Sequence, residues 1–267
     1  PDGDYFGLVL VTNWPISPLP DMEVPYTDFL EAIKSCFQKE DITATPSKEA
    51  GKDSTSQFLL PPVYLYPTTH LHITLATFIP PTKIASSNSV SNEEGDDKKE
   101  ETGSLSSNDI REAKKEDVLK LLQSASELPD WPTEPLQMVV DSAQIGKRAG
   151  ILLWKDLSGG VDAIRNCLRK ASTELDAATT PNIPGIIHST FLRFSSTPQT
   201  SGAEVQEAFR SKIQGRLGTE FFRSANADEP TPLILRANTA RLVCESTPYM
   251  HIPDDDEHVL WSRELAR

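Results

Sequence analysis

The sequence predicts an α+β fold built as two related lobes, and three observations carry that expectation. Strand-like and helix-like stretches alternate along the chain: strand, helix, strand, strand, helix, strand, strand, helix, strand, helix, strands. Two of the strand-like stretches, Thr69 to Phe78 and Ile186 to Phe194, each contain a His-x-Thr triplet, His72 to Thr74 and His188 to Thr190. Each triplet also comes late in a unit of strand, helix and strand, so the two halves follow one plan, although their sequence identity is too slight for a repeat.

In order, Tyr5 to Thr12 is an apolar run that reads as a buried strand, ended by the proline-rich turn from Pro15 to Pro20. Phe29, Ile33, Cys36 and Phe37 recur at helical spacing and place a helix over Tyr26 to Gln38. Thr43 to Gln57 is polar, with Pro, Gly and Ser, and reads as a surface loop. Val63 to Tyr66 is a short strand, and the His72 strand follows until Pro80-Pro81 stops it. Ala85 to Asp109 is rich in Ser, Asn and acidic residues, has almost nothing to bury, and is expected to be a disordered insert in a single domain spanning 1–267.

Helical periodicity returns over Ile110 to Leu128, with Val118, Leu121, Leu122 and Ala125 on one side. Leu136 to Ser142 and Ile151 to Lys155 pair around the turn Gly146 to Gly150. Val161, Ile164, Leu168, Ala171 and Leu175 mark an amphipathic helix entered from Ser158-Gly159-Gly160. After the His188 strand come a helix over Ala203 to Gln214 and strands near Leu233 to Ala237, Ala240 to Cys244 and His258 to Trp261.

Composition narrows the function. A net charge of -13 argues against tight, sequence-blind binding along a nucleic acid backbone, which needs clustered Lys and Arg. It leaves room for an enzyme that accepts a short phosphate ester. Cys36, Cys167 and Cys244 are odd in number, far apart and set in apolar runs, so they read as small buried hydrophobes. No apolar run approaches the roughly 20 residues a membrane helix needs. The expectation is a monomer working in the cytoplasm; because the chain begins at Pro1, an upstream targeting signal stays open. There is no Gly-x-Ser-x-Gly, Walker loop or Gly-x-Gly-x-x-Gly, so serine-nucleophile, ATP- or NAD-dependent chemistry has no support.

The two triplets point to phosphoester chemistry. Side chains two apart on a strand share a face, so each triplet aims an imidazole and a hydroxyl together. A neutral imidazole takes a proton from attacking water, and a protonated one donates to the departing oxygen. The threonine hydroxyls hydrogen-bond the phosphate oxygens where charge accumulates. Imidazolium and hydroxyls already stabilise that charge, so no metal or other cofactor is expected.

In these residues the chain resembles the 2H phosphoesterases, the LigT-like family, whose signature is two His-x-Thr/Ser-x motifs flanked by hydrophobic residues. His72-Ile73-Thr74-Leu75 matches it fully; His188-Ser189-Thr190-Phe191 departs at Ser189, whose side chain points away from the pocket. Ala143 to Gly146 through Gly150 to Trp154 looks like the hairpin that family carries between its motifs, and the acidic insert lengthens the gap. The resemblance spans Tyr5 to at least Phe194. It implies a bilobal fold with antiparallel sheets lining a central cleft and helices outside. It also implies action on 2′,3′-cyclic phosphates or 2′-5′ linkages of a nucleotide or RNA end. His72 and His188 would be the acid/base pair, in either order, and Thr74 and Thr190 the phosphate ligands. The alternative is a nucleotide- or phosphate-binding module with little turnover.

Further candidates surround these four. Tyr64 and Tyr66 precede the first motif and read either as ordinary packing or as stacking on a base, with Tyr66 the substrate-binding candidate; Lys147 and Arg148 at the hairpin tip read as solvated turn residues or as meeting a phosphate, with Lys147 the candidate. His70 reads as a rim residue; with His72 alone it lacks the third ligand of a metal site. Arg193 falls on the strand face opposite His188 and reads as structural. His251 and His258 have no motif around them, and Asp254 to Glu257 reads as a solvated turn.

Overall fold

The computed structural model describes residues 5–14, 20–36, 63–83, 107–146, 148–194, 202–224, 231–247 and 252–265. Among these residues, two antiparallel sheets and four helices make up an α+β fold. In the first sheet, β1 (Tyr5–Thr12) lies between β3 (Ile73–Lys83) and β8 (Thr239–Glu245), and β9 (Val259–Glu264) extends it, in the order β3-β1-β8-β9. The second sheet contains β2 (Val63–Leu65), β6 (His188–Phe194), β5 (Ala149–Asp156), β4 (Leu136–Ile145) and β7 (Leu235–Ala237), in the order β2-β6-β5-β4-β7. Apart from β2, the sheets follow one plan. A leading strand (β1 or β5) is followed by a helix, and the His-x-Thr strand (β3 or β6) then pairs beside the leading strand. The two-lobe expectation therefore holds in the topology, and a single main cluster of buried side chains joins the two sheets.

The helices cover the apolar faces. In α1 (Pro20–Ser35), Tyr26, Phe29 and Ile33 are fully buried. This helix starts six residues earlier than the periodicity indicated, with Pro20 at its first position, where the missing N–H costs nothing. Phe37, Gln38 and the Thr43 to Gln57 loop lie outside the described residues. Val118, Leu121, Leu122 and Ala125 of α2 (Ser107–Ser126) are buried as a stripe. Because α2 begins at Ser107, the last three residues of the expected insert are helical, and 85–106 lie outside the described residues. Val161, Ile164, Leu168 and Ala171 of α3 (Gly160–Glu174) are buried, whereas Leu175 falls past its end and is exposed. The fourth helix is α4 (Gly202–Lys212). Among the described residues no helix is long and apolar enough to cross a membrane. All three cysteines are buried free thiols.

One expectation fails outright: Pro80-Pro81 does not stop the first motif strand, which runs on to Lys83. β3 lies at the edge of its sheet, where proline is tolerated. The ladder passes from Thr82 to Ile79 while β1 passes from Phe6 to Leu8, so both prolines sit in an irregularity opposite Gly7. Glycine is required there, because a Cβ at Gly7 would stand 2.8 Å from the Pro81 Cα.

Candidate active site

Both motifs face one cavity. His72, Thr74, His188 and Thr190 all line a hollow of about 330 Å³ walled by strands of both sheets. His72 stands just before β3 rather than within it, after a short 3-10 turn over Thr68–His70. That turn brings the His70 carbonyl to 2.9 Å from His72 Nδ1. A carbonyl only accepts, so Nδ1 carries the proton and Nε2 is left with a lone pair. Burial pulls the His72 pKa down to about 4, partly opposed by that hydrogen bond, with the nearby cationic forms of His188, Arg193 and His70 lowering it further.

His188 opens β6, and its environment differs. Burial lowers its pKa first, then the positive charges of Arg165 and Arg193. Its Nδ1 is buried with no hydrogen-bond partner among the described residues. A ring with its proton on Nε2 leaves only a lone pair at that dry position, whereas an imidazolium strands an N–H there. Ser189, the departure from the motif, points into the core, where its hydroxyl accepts from Trp154 Nε1 at 3.0 Å.

Each motif strand then breaks its alternation in the same way. In β3 the pairing steps from Thr74 to Ala76 while β1 moves one residue, Val11 to Leu10. In β6 it steps from Thr190 to Leu192 while β5 moves one residue, Ile151 to Gly150. Each irregularity adds one residue, so Leu75-Ala76 and Phe191-Leu192 are successive residues that are all fully buried. The following residue returns to the cleft: Thr77 on one strand, Arg193 on the other, and both line the cavity. Arg193 is therefore a site residue, and its assignment to the opposite face is corrected. Strict period-two counting fails across the bulge. The bulge is accommodated by Gly150, where a Cβ would stand 2.5 Å from the Phe191 ring.

Arg165 of α3 ties the two motif strands together. The residue is 4% exposed, and its guanidinium donates through Nε to the Leu75 carbonyl at 3.3 Å. Nη2 donates to the Thr74 carbonyl at 3.3 Å and the Ile186 carbonyl at 3.0 Å. The helix carrying it is anchored at its start by Asp156, whose carboxylate accepts from the Val161 N–H at 2.8 Å. Sequence reasoning overlooked Arg165, yet a signal was present: it sits on the apolar stripe of Val161, Ile164 and Leu168, where a charge needs a buried partner.

The remaining candidates separate. Tyr66 lines the cavity, with its carbonyl accepting from the Tyr26 hydroxyl at 2.8 Å; Tyr64 stacks edge-on against it, outside the lining. Lys147 and His251 lie outside the described residues. Arg148 is exposed, and its carbonyl accepts the Phe194 N–H at 3.0 Å. His70 contributes its carbonyl to the site, while its ring bonds the Thr69 hydroxyl. His258 is fixed away from the cavity, with Nδ1 2.7 Å from Asp255 and Nε2 2.9 Å from the Ser246 hydroxyl, and Asp254 pairs with Arg241. Among the described residues, His, Cys, Asp and Glu side chains form no group of three that would hold a metal ion. Glu245, not singled out in the sequence, is 5% exposed and also lines the cavity.

No protein-family model matches the chain, and no curated protein matches it. Among solved structures, 24 chains match. One is described as a phosphoesterase, at 12% identity and a TM-score of 0.43, covering 98% of this chain and 99% of that one. Another is LigT of Escherichia coli in complex with 3′-AMP, at 11% identity and a TM-score of 0.43, covering 98% of each chain. A third is a Thermus thermophilus protein, at 10% identity and a TM-score of 0.42, covering 97% of each.

Proposed function

We propose that this chain is a phosphoesterase of the 2H type, acting without a metal on the 2′,3′-cyclic phosphate or 2′-5′ linkage of a nucleotide or RNA end. The observation that supports this reading is the convergence of two imidazoles, two threonine hydroxyls and a guanidinium on one cavity. His72 acts as base: with Nδ1 bound to the His70 carbonyl, Nε2 takes a proton from the attacking water. The water oxygen bonds to phosphorus, the bond from phosphorus to one ribose oxygen breaks, and His188 supplies the proton to that oxygen. A phosphate monoester and a free hydroxyl result. Both imidazoles are held below the ordinary histidine range, so protonation of His188 is favoured only once an anionic ester is beside it. Thr74, Thr190 and Arg193 hold the phosphate oxygens, and Tyr66 contacts the rest of the substrate.

The test is turnover of a panel of nucleoside 2′,3′-cyclic phosphates and 2′-5′ dinucleotides, with His72→Ala as control. Hydrolysis by the wild type that the variant loses supports the reading; equal rates in both overturn it. The competing binding-module reading draws on the burial that pulls both imidazoles below the ordinary histidine range. Tight binding of a nucleotide with no turnover of any ester in the panel would decide for it.

A further inference from the structure

We infer that Ser246, His258 and Asp255 form a second catalytic site, a serine relay that hydrolyses small activated esters. None of the three lines the cavity between the sheets. The Ser246 hydroxyl lies 2.9 Å from His258 Nε2, and His258 Nδ1 lies 2.7 Å from Asp255 Oδ1. An ionised carboxylate only accepts, so Nδ1 carries the proton, and in the neutral ring Nε2 keeps a lone pair that accepts from the serine O–H. These are the nucleophile, base and orienting group of a serine hydrolase. Such a relay is recognised by its geometry and not by a Gly-x-Ser-x-Gly motif, which this chain lacks.

The fold holds the three in place. β8 ends at Glu245 and β9 starts at Val259, so Ser246 and His258 flank the ends of two paired strands. The Cys244 N–H donates to the His258 carbonyl at 2.8 Å, which keeps the two chains together up to that point. Asp255 is fixed by its turn, where the same Oδ1 accepts the Glu257 N–H at 3.1 Å and the His258 N–H at 3.0 Å. Capping the turn needs only those two backbone bonds. The further bonds, carboxylate to imidazole and imidazole to serine, aim a base at a hydroxyl. His258 is 9% exposed, which shields the ring, whereas Ser246 is half-buried and reachable from solvent.

In the reaction, Ser246 Oγ bonds the acyl carbon as its proton passes to His258 Nε2. The bond from that carbon to the leaving oxygen breaks, and Nε2 returns the proton to this oxygen. Water repeats the sequence on the acyl-serine, releasing a carboxylic acid and restoring the hydroxyl. Base assistance contributes about 10²–10⁴-fold, so the substrates are esters with a good leaving group rather than amides.

The test is reaction of the full chain with an alkyl fluorophosphonate, the adduct being located by peptide mass spectrometry. Here Ser246 Oγ bonds phosphorus, fluoride leaves, and the serine proton passes to His258. In the wild type Ser246 should react at least about 10²-fold faster than Ser262, an exposed serine of β9. That comparison needs no variant to fold. His258→Gln should bring the Ser246 rate down to that of Ser262. Asp255→Asn, which keeps an oxygen for the turn N–H groups, should slow labelling at least about tenfold. His72→Ala should label like the wild type, because the relay works apart from the phosphoester site. Wild type and His72→Ala should also turn over p-nitrophenyl acetate, and Ser246→Ala should not. Labelling of Ser246 no faster than Ser262, an undiminished rate in His258→Gln, or ester turnover that survives Ser246→Ala overturns the inference.

Discussion

The two motif strands share the His-x-Thr spacing and the same one-residue bulge, and after it β3 presents Thr77 to the cleft and β6 presents Arg193. Their imidazoles differ too: His72 is locked by a carbonyl on Nδ1, whereas the His188 Nδ1 has no partner among the described residues and Arg165 and Arg193 stand near it. A pseudo-symmetric scaffold thus carries an asymmetric site. One half offers a lone pair with a fixed tautomer. The other concentrates positive charge, which lowers the pKa of its own imidazole and, in the proposed mechanism, would meet an anionic phosphate. Equal halves would give two interchangeable bases; unequal halves divide the proton chemistry.

The heaviest blow to this comparison is removal of either imidazole. His72→Ala and His188→Ala should each lower kcat on a 2′,3′-cyclic nucleotide by about 10²–10⁴-fold with the thermal transition preserved. Next comes the charge that distinguishes the halves. Arg193→Ala should cost on the order of 10²-fold in kcat/KM, with Arg193→Lys recovering only part because a point charge lacks the guanidinium fork. Thr77→Val, at the equivalent place on β3, should cost less than about tenfold; equal losses at the two positions would contradict the asymmetry.

The pH profile sharpens the comparison further. The proposed mechanism needs His72 neutral, so kcat/KM should rise as pH climbs through about 4. It needs His188 protonated, so kcat/KM should fall as pH climbs through the lowered His188 value, below the ordinary histidine value of about 6.5. The optimum is therefore acidic; a plateau extending above pH 8 contradicts the assignment. Arg165→Met removes a positive charge from beside His188, so the descending limb should move to higher pH while the rising limb stays in place. The smallest effect is Ser189→Ala, which strands the buried Trp154 N–H. It should cost about 1–3 kcal/mol in denaturant unfolding and leave kcat unchanged.

The parts legible in the sequence were those that obey local periodicity. The His-x-Thr faces, the stripe of α2 and the alternation of strands and helices follow from spacing alone. What escaped depends on partners distant in the chain. The bulge that turns Arg193 into the cleft exists because β5 and β6 mismatch by one residue around Gly150, which no count along β6 reveals. The passage of β3 through two prolines depends on its edge position, a property of the sheet. Arg165 reaches carbonyls about 90 and about 20 residues away in the chain, and only its place on an apolar stripe hinted at it. Glu245 reaches the cavity from the first sheet, through pairing with Gly7.

One measurement bears most directly on the claim that the two imidazoles serve a single phosphate: kcat/KM of His72→Ala, His188→Ala and the double variant on the same 2′,3′-cyclic nucleotide. Groups acting on one reaction centre as a unit are non-additive, so the double variant should be about as slow as the slower single variant. Losses that multiply, or a single variant that keeps the wild-type rate, would mean that the two histidines do not work on one phosphate.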